Sequence, residues 1–258
     1  MTKDKRQALL SRLEIVRTMS LTEAMDFLQV SESTVRRMFT QLENSGAAIR
    51  TYGGIRCIDG SPTSYSFDFV AKQNIERKAA IAAAACELLE DDDVIFCDSG
   101  TTIQCFCMEL VHRIRRDKLN VVLYTNSLAN LELLSPLIPV NLVGGEYRSN
   151  RKDFCGYITE QAIRNVYFTK CFIGADGCID ERMFTTTDFE TMRINELAMA
   201  NSVKSYMLVD SSKFNMTTHV AYAPIDRLHC VITDDAISPD KLEKLEKSNA
   251  RIVCARVK

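Results

Sequence analysis

The chain has none of the long apolar stretches that mark a membrane protein. Its apolar runs are far shorter than the roughly 20 residues that a membrane span requires. The amino-terminal segment starts basic and continues as an amphipathic helical pattern, without the continuous apolar region and the small-residue cleavage site of a secretory signal peptide. We therefore expect a cytoplasmic globular protein that has no membrane partner.

Paired metal ligands are missing as well. The three histidines form no ligand set, and Cys105 and Cys107 are too closely spaced for a zinc site, which uses Cys-x-x-Cys or a nearby histidine. The ten cysteines are scattered, so we expect reduced thiols that act as small core side chains. We expect neither a metal ion nor a cofactor. The Gly-x-Ser-x-Gly turn of nucleophilic hydrolases is also absent.

The net charge of -2 conceals an uneven distribution. Residues 1–56 hold nine Lys or Arg against six Asp or Glu, whereas the rest of the chain holds 23 against 28. A basic segment joined to an acidic body indicates an anionic macromolecular partner for the basic segment, because opposite charges attract and retain such a partner.

The apolar spacing of residues 1–57 predicts a small helical domain. A first helix over residues 4–18 places most of its apolar side chains on one stripe, formed by Leu9, Leu10, Leu13, Ile15 and Val16. We expect Thr22 to cap a second helix. That helix has the apolar repeat Leu21, Ala24, Met25 and Leu28.

A third helix is predicted to begin at Ser31 and to end at Gly46. Its buried face is expected to contain Val35, Phe39 and Leu42. The stretch "AAIRTYGGIRCI" predicts two short strands around Gly53 and Gly54. Three helices with a tight turn between the second and the third, followed by a hairpin, are typical of a winged helix-turn-helix domain.

The third helix has the features of a DNA recognition helix. Its first turn can present backbone N–H groups and hydroxyls to phosphate, and two adjacent arginines point about 100° apart, so that one can reach a base edge while the other holds the backbone. We predict DNA contacts at Ser31, Ser33, Thr34, Arg36, Arg37, Arg50 and Tyr52. Two alternatives remain: a solvated arginine pair on a surface helix, and a first domain that contacts another protein.

The pattern of apolar residues changes in the second part of the chain. Residues 58–75, which include "DGSPTSYS", predict a linker. Over residues 76–258, helical segments alternate with apolar strand segments, which is typical of a mostly parallel sheet with helices on its faces. The sequence therefore predicts an α/β fold for the second domain.

Polar or glycine-rich loops follow several of the predicted strands, where ligands of open parallel sheets bind. The start of a helix at "GTT" suits a phosphate, and nearby lysine and arginine side chains supply positive charge. The candidate contacts are Asp98, Ser99, Gly100, Thr101, Thr102, Thr125, Asn126, Ser127, Gly145, Arg148, Asp176 and Lys213. Such a set favours a small phosphorylated polyol or sugar as the ligand.

An ordered series of motifs resembles the DeoR family of bacterial transcriptional regulators over nearly the whole chain. The first domain contains "SESTVRR" and "RTYGG", and the second contains "DSGTT", "TNSL", "GGEYR", "GADG" and "DSSKF" in the family's order. After the arginine pair the family usually has an Asp that would support the recognition helix, where this chain has Met38.

The resemblance implies a winged helix-turn-helix domain joined to a sugar-phosphate-sensing domain similar in fold to ribose-5-phosphate isomerase and the CoA transferases. It also implies a repressor of a carbohydrate-use operon that leaves double-stranded operator DNA when a phosphorylated sugar binds. Because one small winged helix makes few DNA contacts, we expect a homodimer or a homotetramer.

A second possible function is a sugar-phosphate isomerase in the C-terminal half. Asp176, Glu190 and Lys213 could imitate the groups that similar folds use for enediol proton transfer. The attached DNA-binding domain favours a sensor that keeps the cleft without the chemistry, because functions change readily on a shared fold. We therefore expect no enzymatic activity.

Overall fold

The chain forms two structural units in the computed structural model, residues 1–72 and residues 73–258. The structure describes residues 2–16, 18–44, 48–56 and 65–257. The predicted fold class is confirmed: a helix-turn-helix domain precedes a mixed α/β domain built on a large parallel sheet.

Three helices and a three-stranded antiparallel sheet form the first unit, together with a short helix α4 (Phe67–Ala71). The helices are α1 (Thr2–Val16), α2 (Leu21–Leu28) and α3 (Glu32–Asn44). The strands are β1 (Thr18–Ser20), β2 (Ile49–Thr51) and β3 (Gly54–Arg56), in the order β1-β3-β2. Strand β1 was not predicted, because three residues between two helices are too few to show an alternating pattern.

The start of α2 differs from the prediction. Ser20, and not Thr22, caps the helix: its hydroxyl accepts from the Glu23 amide at 3.2 Å, and the Glu23 carboxylate accepts from the Ser20 amide at 2.7 Å. This reciprocal pair satisfies two amide groups that the helix itself leaves without partners. The backbone hydrogen bond from Ser20 lowers the pKa of Glu23. The prediction of Thr22 was wrong by two positions: serine and threonine are both good caps, and the apolar spacing does not fix which hydroxyl residue begins the helix.

The bounds of α3 and of the hairpin also shift slightly. Helix α3 begins at Glu32, and the Ser31 carbonyl accepts the first helical hydrogen bonds. Gly46, predicted to end it, lies outside the described residues. The hairpin turns at Tyr52 and Gly53, whereas Gly54 begins β3. A Cβ at Gly54 would lie 2.4 Å from the Met19 carbonyl oxygen, because β1 pairs closely with β3.

The core of the first unit contains the predicted inward face of α3. Its buried members on this helix are Val35, Met38, Phe39 and Leu42. Met38 is fully buried, so the chain uses this position as a core residue, and an acid there would lose its solvation without an evident partner. Of the predicted α1 stripe, Leu9, Leu10 and Leu13 are buried. Val16 is exposed, and the side chain of Ile15 lies outside the described residues.

Seven parallel strands form the central sheet of the second unit, and each corresponds to a predicted apolar segment. They are β4 (Asp93–Cys97), β5 (Val121–Thr125), β6 (Val140–Leu142), β9 (Phe168–Ile173), β12 (Ser202–Leu208), β14 (Cys230–Asp234) and β15 (Arg251–Ala255). Their order is β15-β14-β12-β9-β4-β5-β6. The helices of this unit are α5 (Ile75–Cys86), α6 (Thr101–Asp117), α7 (Leu128–Leu134), α8 (Tyr157–Arg164), α9 (Phe189–Ala200) and α10 (Pro239–Glu246).

The second unit also contains two small antiparallel sheets, whose strands were not predicted. They are β7 (Glu146–Arg148) with β8 (Asp153–Cys155), and β10 (Gly177–Ile179) with β11 (Met183–Thr186) and β13 (Val220–Pro224). Two 3₁₀ helices span Ser211–Asn215 and Ile225–Arg227. The alternation of helices and apolar segments that predicted the central sheet does not include these strands.

The sheet separates two apolar layers. Along β4, Ile95 and Cys97 pack with α5 and α6, whereas Phe96 packs with α8 and α9 on the other side. Because successive side chains of a strand point to opposite faces, strands covered on both sides must be apolar throughout. This explains the continuous apolar runs in the sequence. None of the helices in the described ranges is both long enough and apolar enough to cross a membrane.

Candidate functional site

The predicted DNA-contacting residues lie at the start of α3 and on the hairpin. The Ser31 hydroxyl lies 3.1 Å from that of Ser33 and 3.0 Å from that of Thr34. These three hydroxyls therefore form one polar cluster at the end of the helix where the backbone N–H groups and the helix dipole favour an anion.

The two adjacent arginines of α3 have different surroundings. Arg36 donates to the Glu32 carboxylate at 2.7 Å, one turn back on the same helix. Arg37 is exposed and makes no hydrogen bond or ion pair with the described residues. On the hairpin side, Arg50 donates to the Thr40 hydroxyl at 3.2 Å, and Tyr52 is fully exposed at the turn. Arg37 and Tyr52 are thus exposed side chains without a hydrogen-bond partner among the described residues.

In the second unit, the carboxyl ends of neighbouring parallel strands bring the predicted effector residues to one edge of the sheet. The loops after β4, β5, β9 and β12 begin at residues 98, 126, 174 and 209, and these strands are neighbours in the sheet. Ligands of open parallel sheets bind at this edge. The fold therefore gathers polar groups that are far apart in the sequence.

Asp98 is buried where β4 ends. Its Oδ2 accepts from the Gly174 amide at 3.2 Å, which joins the loops after β4 and β9. Burial raises the pKa of the Asp98 carboxyl, against the hydrogen bonds from the Ser99 and Gly174 backbone. The Ser99 hydroxyl donates to Asp153 at 2.9 Å. Asp98 is therefore held in a fixed position, close to a second carboxylate.

Helix α6 begins directly after this loop. Gly100 precedes the helix and offers no side-chain cap, and Thr101 and Thr102 are both buried in the first turn. A helix of this length concentrates partial positive charge on the N–H groups of its first turn. The arrangement can accept an anionic oxygen.

The hydroxyl groups of Thr125 and Ser127, which were predicted to contact a ligand, make hydrogen bonds within the protein instead. The Thr125 hydroxyl donates to the Cys97 carbonyl at 2.6 Å, which links the ends of β4 and β5. The Ser127 hydroxyl accepts from the Asn130 amide at 3.3 Å and caps α7. Both side chains are fully buried. They position the loop that carries Asn126.

Two asparagines near this loop have buried carbonyl oxygens without partners among the described residues. Asn126 donates through Nδ2 to the Phe154 carbonyl at 3.0 Å, and Asn130 donates through Nδ2 to the Asp98 carbonyl at 3.0 Å. Each Oδ1 is buried and accepts no hydrogen bond there. Reversing either amide would place two oxygens together, so the contacts fix its orientation. These oxygens suit hydroxyl donors such as those of a sugar.

Asn130 was not predicted as a site residue. The only sequence signal is its position four residues after Asn126 in "TNSLAN", which does not by itself indicate a ligand contact. Its importance comes from the contact with the backbone of the loop after the neighbouring strand.

Gly145 is required by packing. A Cβ at this position would lie 2.2 Å from the Thr159 hydroxyl and 2.4 Å from the Cys155 carbonyl oxygen. Those distances are below any normal contact, so the segment before β7 can approach β8 and α8 only with glycine. The same test at Gly144 finds no atom within 4 Å. The predicted ligand role of Gly145 stays a prediction.

Arg148 is engaged by carboxylates of the protein itself. Its guanidinium donates to both oxygens of Asp153, at 2.9 and 2.6 Å, and to Asp188 at 2.7 Å. It also donates to the Thr191 hydroxyl at 3.1 Å. The bidentate geometry with a fully buried Asp153 makes Arg148 a strong link between β7, β8 and the start of α9.

Arg151, which the sequence did not single out, extends this network to Asp176. It pairs with Asp188 at 2.9 Å and lies 3.4 Å from Asp176. Asp176 also accepts from the Thr186 hydroxyl at 3.0 Å and from the Thr187 amide at 3.2 Å. Burial would raise the pKa of Asp188, but the charges of Arg151 and Arg148 hold it below its usual value.

Lys213 is the predicted cation with the most open ammonium. It lies half-buried in the 3₁₀ helix after β12, where its backbone amide donates to Asp210. Its ammonium makes no ion pair or hydrogen bond with the described residues. Glu190, the acid considered for an isomerase, is exposed on α9.

The cysteines behave as core side chains. Nine lie in the described ranges, all are free thiols, and seven of them are buried. Burial raises the pKa of Cys97 and of Cys171, which keeps these thiols protonated and unreactive. Across the described ranges, no group of three or more His, Cys, Asp and Glu side chains is arranged to hold a metal ion.

Two family descriptions match the chain, and together they cover most of it. Residues 5–61 match the DeoR-like helix-turn-helix domain. Residues 73–235 match the DeoR C terminal sensor domain. The matched ranges follow the two structural units described above.

Similar proteins carry the names of transcriptional regulators. The chain is 34% identical to the lactose phosphotransferase system repressor of Lactococcus lactis, over 96% of this chain and 97% of that protein. It is 31% identical to the HTH-type transcriptional regulator IolR of Bacillus subtilis, over 86% and 87%. It is 28% identical to a putative aga operon transcriptional repressor of Escherichia coli, over 98% and 93%.

Similarity to solved structures is looser. Ribose 5-phosphate isomerase A from Methanocaldococcus jannaschii is 22% identical over 55% of each chain, with a TM-score of 0.43. The delta subunit of eIF2B from Chaetomium thermophilum is 12% identical over 88% of this chain and 70% of that chain, with a TM-score of 0.45. These values are too low to indicate a shared activity.

Proposed function

The chain belongs to the DeoR family of transcriptional regulators, and we propose that it represses a carbohydrate-use operon until a phosphorylated sugar binds its second domain. It is a DNA-binding regulator, and the relatives that it matches along nearly their whole length are named repressors. We assign DNA binding to residues 1–57, and effector sensing and oligomerisation to residues 76–258, with 58–75 as the linker.

The proposed class of effector rests on one observation: the carboxyl edge of the central sheet has both hydrogen-bond acceptors for hydroxyl groups and positive groups for an anion. Buried acceptors without partners among the described residues, Asn126 Oδ1 and Asn130 Oδ1, suit hydroxyl groups. The start of α6 and the open ammonium of Lys213 suit an anion. A phosphorylated sugar combines both kinds of group in one small molecule. Relatives named for lactose uptake and for the aga operon support a carbohydrate link.

On the DNA side, we propose that the hydroxyl cluster at Ser31 holds phosphate and that Arg37 reaches the duplex from the first turns of α3. Tyr52 and Arg50 add contacts from the hairpin. One winged helix makes few contacts, so we propose a homodimer or homotetramer that reads repeated half-sites. We place the protein in the cytoplasm, where its operator DNA is.

The isomerase alternative is not favoured. Relatives that span nearly the whole chain are named regulators, and of the three residues considered for proton transfer, Asp176 is held by threonines and Arg151. Glu190 is exposed. A general base must lie within hydrogen-bond reach of the proton that it removes, and a carboxylate engaged in this way is a poor base.

A panel of pentose and hexose phosphates tests the proposal. Operator fragments selected by the protein from random DNA would be followed by fluorescence anisotropy while each compound is added. We expect one sugar phosphate to release the DNA, and we expect the corresponding free sugar to be much weaker. Lys213→Ala should keep operator affinity and blunt release, and the exposed Lys118→Ala is the matched control. Turnover of a sugar phosphate, or release by none of them, would contradict the proposal.

A further inference from the structure

The first turn of α3 has an acidic side chain on the surface that is proposed to contact DNA. Glu32 begins the helix and lies between Ser31 and Ser33 in the chain. Its side chain is 54% exposed. DNA phosphates repel a carboxylate, whereas the hydroxyls on either side of it can bind them. Glu32 is therefore unsuited to a contact with the DNA backbone.

The pairing of Glu32 with Arg36 leaves hydrogen-bonding atoms of both side chains open. Arg36 Nε donates to Glu32 Oε1 at 2.7 Å. Among the described residues, the two terminal nitrogens of Arg36 and the second carboxylate oxygen of Glu32 have no partner. A guanidinium has five N–H donors in one rigid plane, so a bond at Nε restricts the directions in which the terminal nitrogens point. The pair therefore presents donors and an acceptor close together.

This pair lies between two groups of proposed backbone contacts. Thr40 follows Arg36 one turn later on the same side of α3, and its hydroxyl donates to the Arg36 carbonyl at 3.1 Å. The same hydroxyl accepts from Arg50 of the hairpin at 3.2 Å. At the other end of the row is the hydroxyl cluster of Ser31. When the cluster and Arg50 hold phosphates, the pair between them faces the groove, where base edges are exposed.

The major groove offers partners for both members of such a pair. Guanine has two acceptors, O6 and N7, which an arginine can contact together. Cytosine has an N4 amine, which donates to a carboxylate. Adenine also has an amine, but the N7 acceptor beside it repels a carboxylate. An acid held next to an arginine therefore matches a cytosine that lies close to a guanine.

We propose that Glu32 is a specificity-determining residue of the DNA-binding domain, which accepts a hydrogen bond from the N4 amine of a cytosine and directs the terminal nitrogens of Arg36 towards a guanine. This inference rests on the proposed function, since it concerns the bases that the first domain recognises in its operator. Because Glu32 partly neutralises Arg36, the pair contributes mainly to sequence preference, and Arg37 contributes more to overall affinity.

A surface pair of this spacing could instead do no more than stabilise its own helix. The Glu32→Gln variant separates the two roles, because its side-chain amide has both an acceptor and a donor, which match N6 and N7 of adenine. If Glu32 contacts a cytosine, the variant should accept adenine at that position. If the pair only supports the helix, the variant should lose some stability and keep the same base preferences.

Selection of binding sites from random DNA by the full chain, followed by sequencing, measures the preference at each base position. The unaltered protein should prefer cytosine over adenine by about tenfold at one position of each half-site, and Glu32→Gln should remove most of this preference. Arg36→Lys keeps the charge but loses the two-donor fork. It should therefore weaken the preference for guanine at a nearby position about tenfold and retain the salt dependence of binding.

Glu43→Gln is the matched control, since Glu43 is another exposed acid of α3. It should select the same sites as the unaltered protein. Thermal unfolding of each variant shows whether the first domain is folded, and Arg36→Lys gives a second measurement if Glu32→Gln is not.

Identical base preferences in Glu32→Gln and the unaltered protein would overturn the inference and leave the proposed function intact. A loss of affinity by the same factor for every sequence would also overturn it, because that is the result expected of a helix support. An unchanged guanine preference in Arg36→Lys would remove Arg36 from the base contact. If the unaltered protein enriched no sequence at all, the proposed repression of a specific operon would itself be contradicted.

Discussion

Arg36 and Arg37 are neighbours in the chain, but only Arg36 has a charged partner on its own helix. The Arg36 guanidinium is 2.7 Å from Glu32, and both side chains are about half exposed. Such an exposed pair contributes only about 0.3–0.5 kcal/mol, so it biases the arginine without locking it. Arg37 has no ion pair of this kind to break before it contacts a phosphate or a base.

We predict that Arg37→Ala weakens operator binding more than Arg36→Ala does. If Arg37 contacts phosphate, its loss should lower the slope of log affinity against log salt by about 0.9. Fluorescence anisotropy over a salt series measures both quantities. Equal losses in the two variants would contradict the distinction, and an unchanged affinity after replacing both would remove DNA contact from this part of α3.

Arg148 was predicted to contact the effector, but its hydrogen bonds to Asp153 and Asp188 also indicate a role in stability. We predict that Arg148→Ala lowers the free energy of unfolding by about 3–5 kcal/mol, because it leaves the buried Asp153 without its bidentate partner. Lys213→Ala should change stability by less than about 0.5 kcal/mol, since the Lys213 ammonium has no partner among the described residues.

Urea unfolding of the second domain, followed by circular dichroism, compares the two variants. If Arg148→Ala were as stable as the unaltered protein, the network with Asp153 and Asp188 would not be a structural support. Lost effector response in that variant would then indicate a direct contact with the ligand.

At the level of secondary-structure elements, the start of α2 depends on one reciprocal pair of hydrogen bonds. We predict that Ser20→Ala destabilises the first domain by about 1 kcal/mol, because the Glu23 amide loses its acceptor. Thr22→Ala is the matched control, since Thr22 is exposed and does not cap the helix. Thermal unfolding should show a lower midpoint for Ser20→Ala alone. A larger effect at Thr22 would show that the cap is assigned to the wrong residue.

The strands show why some elements could be predicted and others could not. Strand β4 is covered on both faces, so Ile95, Phe96 and Cys97 are all apolar and form a recognisable run. Strand β7, with Tyr147 exposed, and strand β1 are short and follow no such run. Their pairing partners hold them in place, and those partners are distant in the sequence or separated from them by turns.

For the whole molecule, regulation by an effector requires that the two ligands influence each other's affinity. Thermodynamic linkage makes this influence reciprocal. We predict that the factor by which the effector weakens operator binding equals the factor by which the operator weakens effector binding. Anisotropy for the DNA and calorimetry for the sugar phosphate measure the two factors.

Lys213→Ala provides the control for this measurement. It should bring both factors towards one, while the operator affinity of the free protein stays near normal. If the operator leaves effector affinity unchanged in the unaltered protein, the two binding sites are uncoupled, and the compound does not regulate by displacing this protein from DNA.

From the sequence alone it was possible to predict two domains, the third helix of the first domain, the strands of the central sheet and the loops that carry most candidate residues. These features depend on local spacing, because helical and strand periods and loop residues are visible within a few neighbouring positions. The strand order brings those loops to one edge, and the sequence could predict that grouping because parallel strands end on the same side.

The partners of each polar side chain at that edge could be read only from the folded chain. Arg148 meets Asp188 across 40 positions, and Asn74 meets Asp210 across 136. The open ammonium of Lys213, and the Oδ1 atoms of Asn126 and Asn130 that have no partner among the described residues, follow from the packing of distant segments. Burial and hydrogen-bond partners are set by the packing of distant segments, and no local pattern of residue types records them.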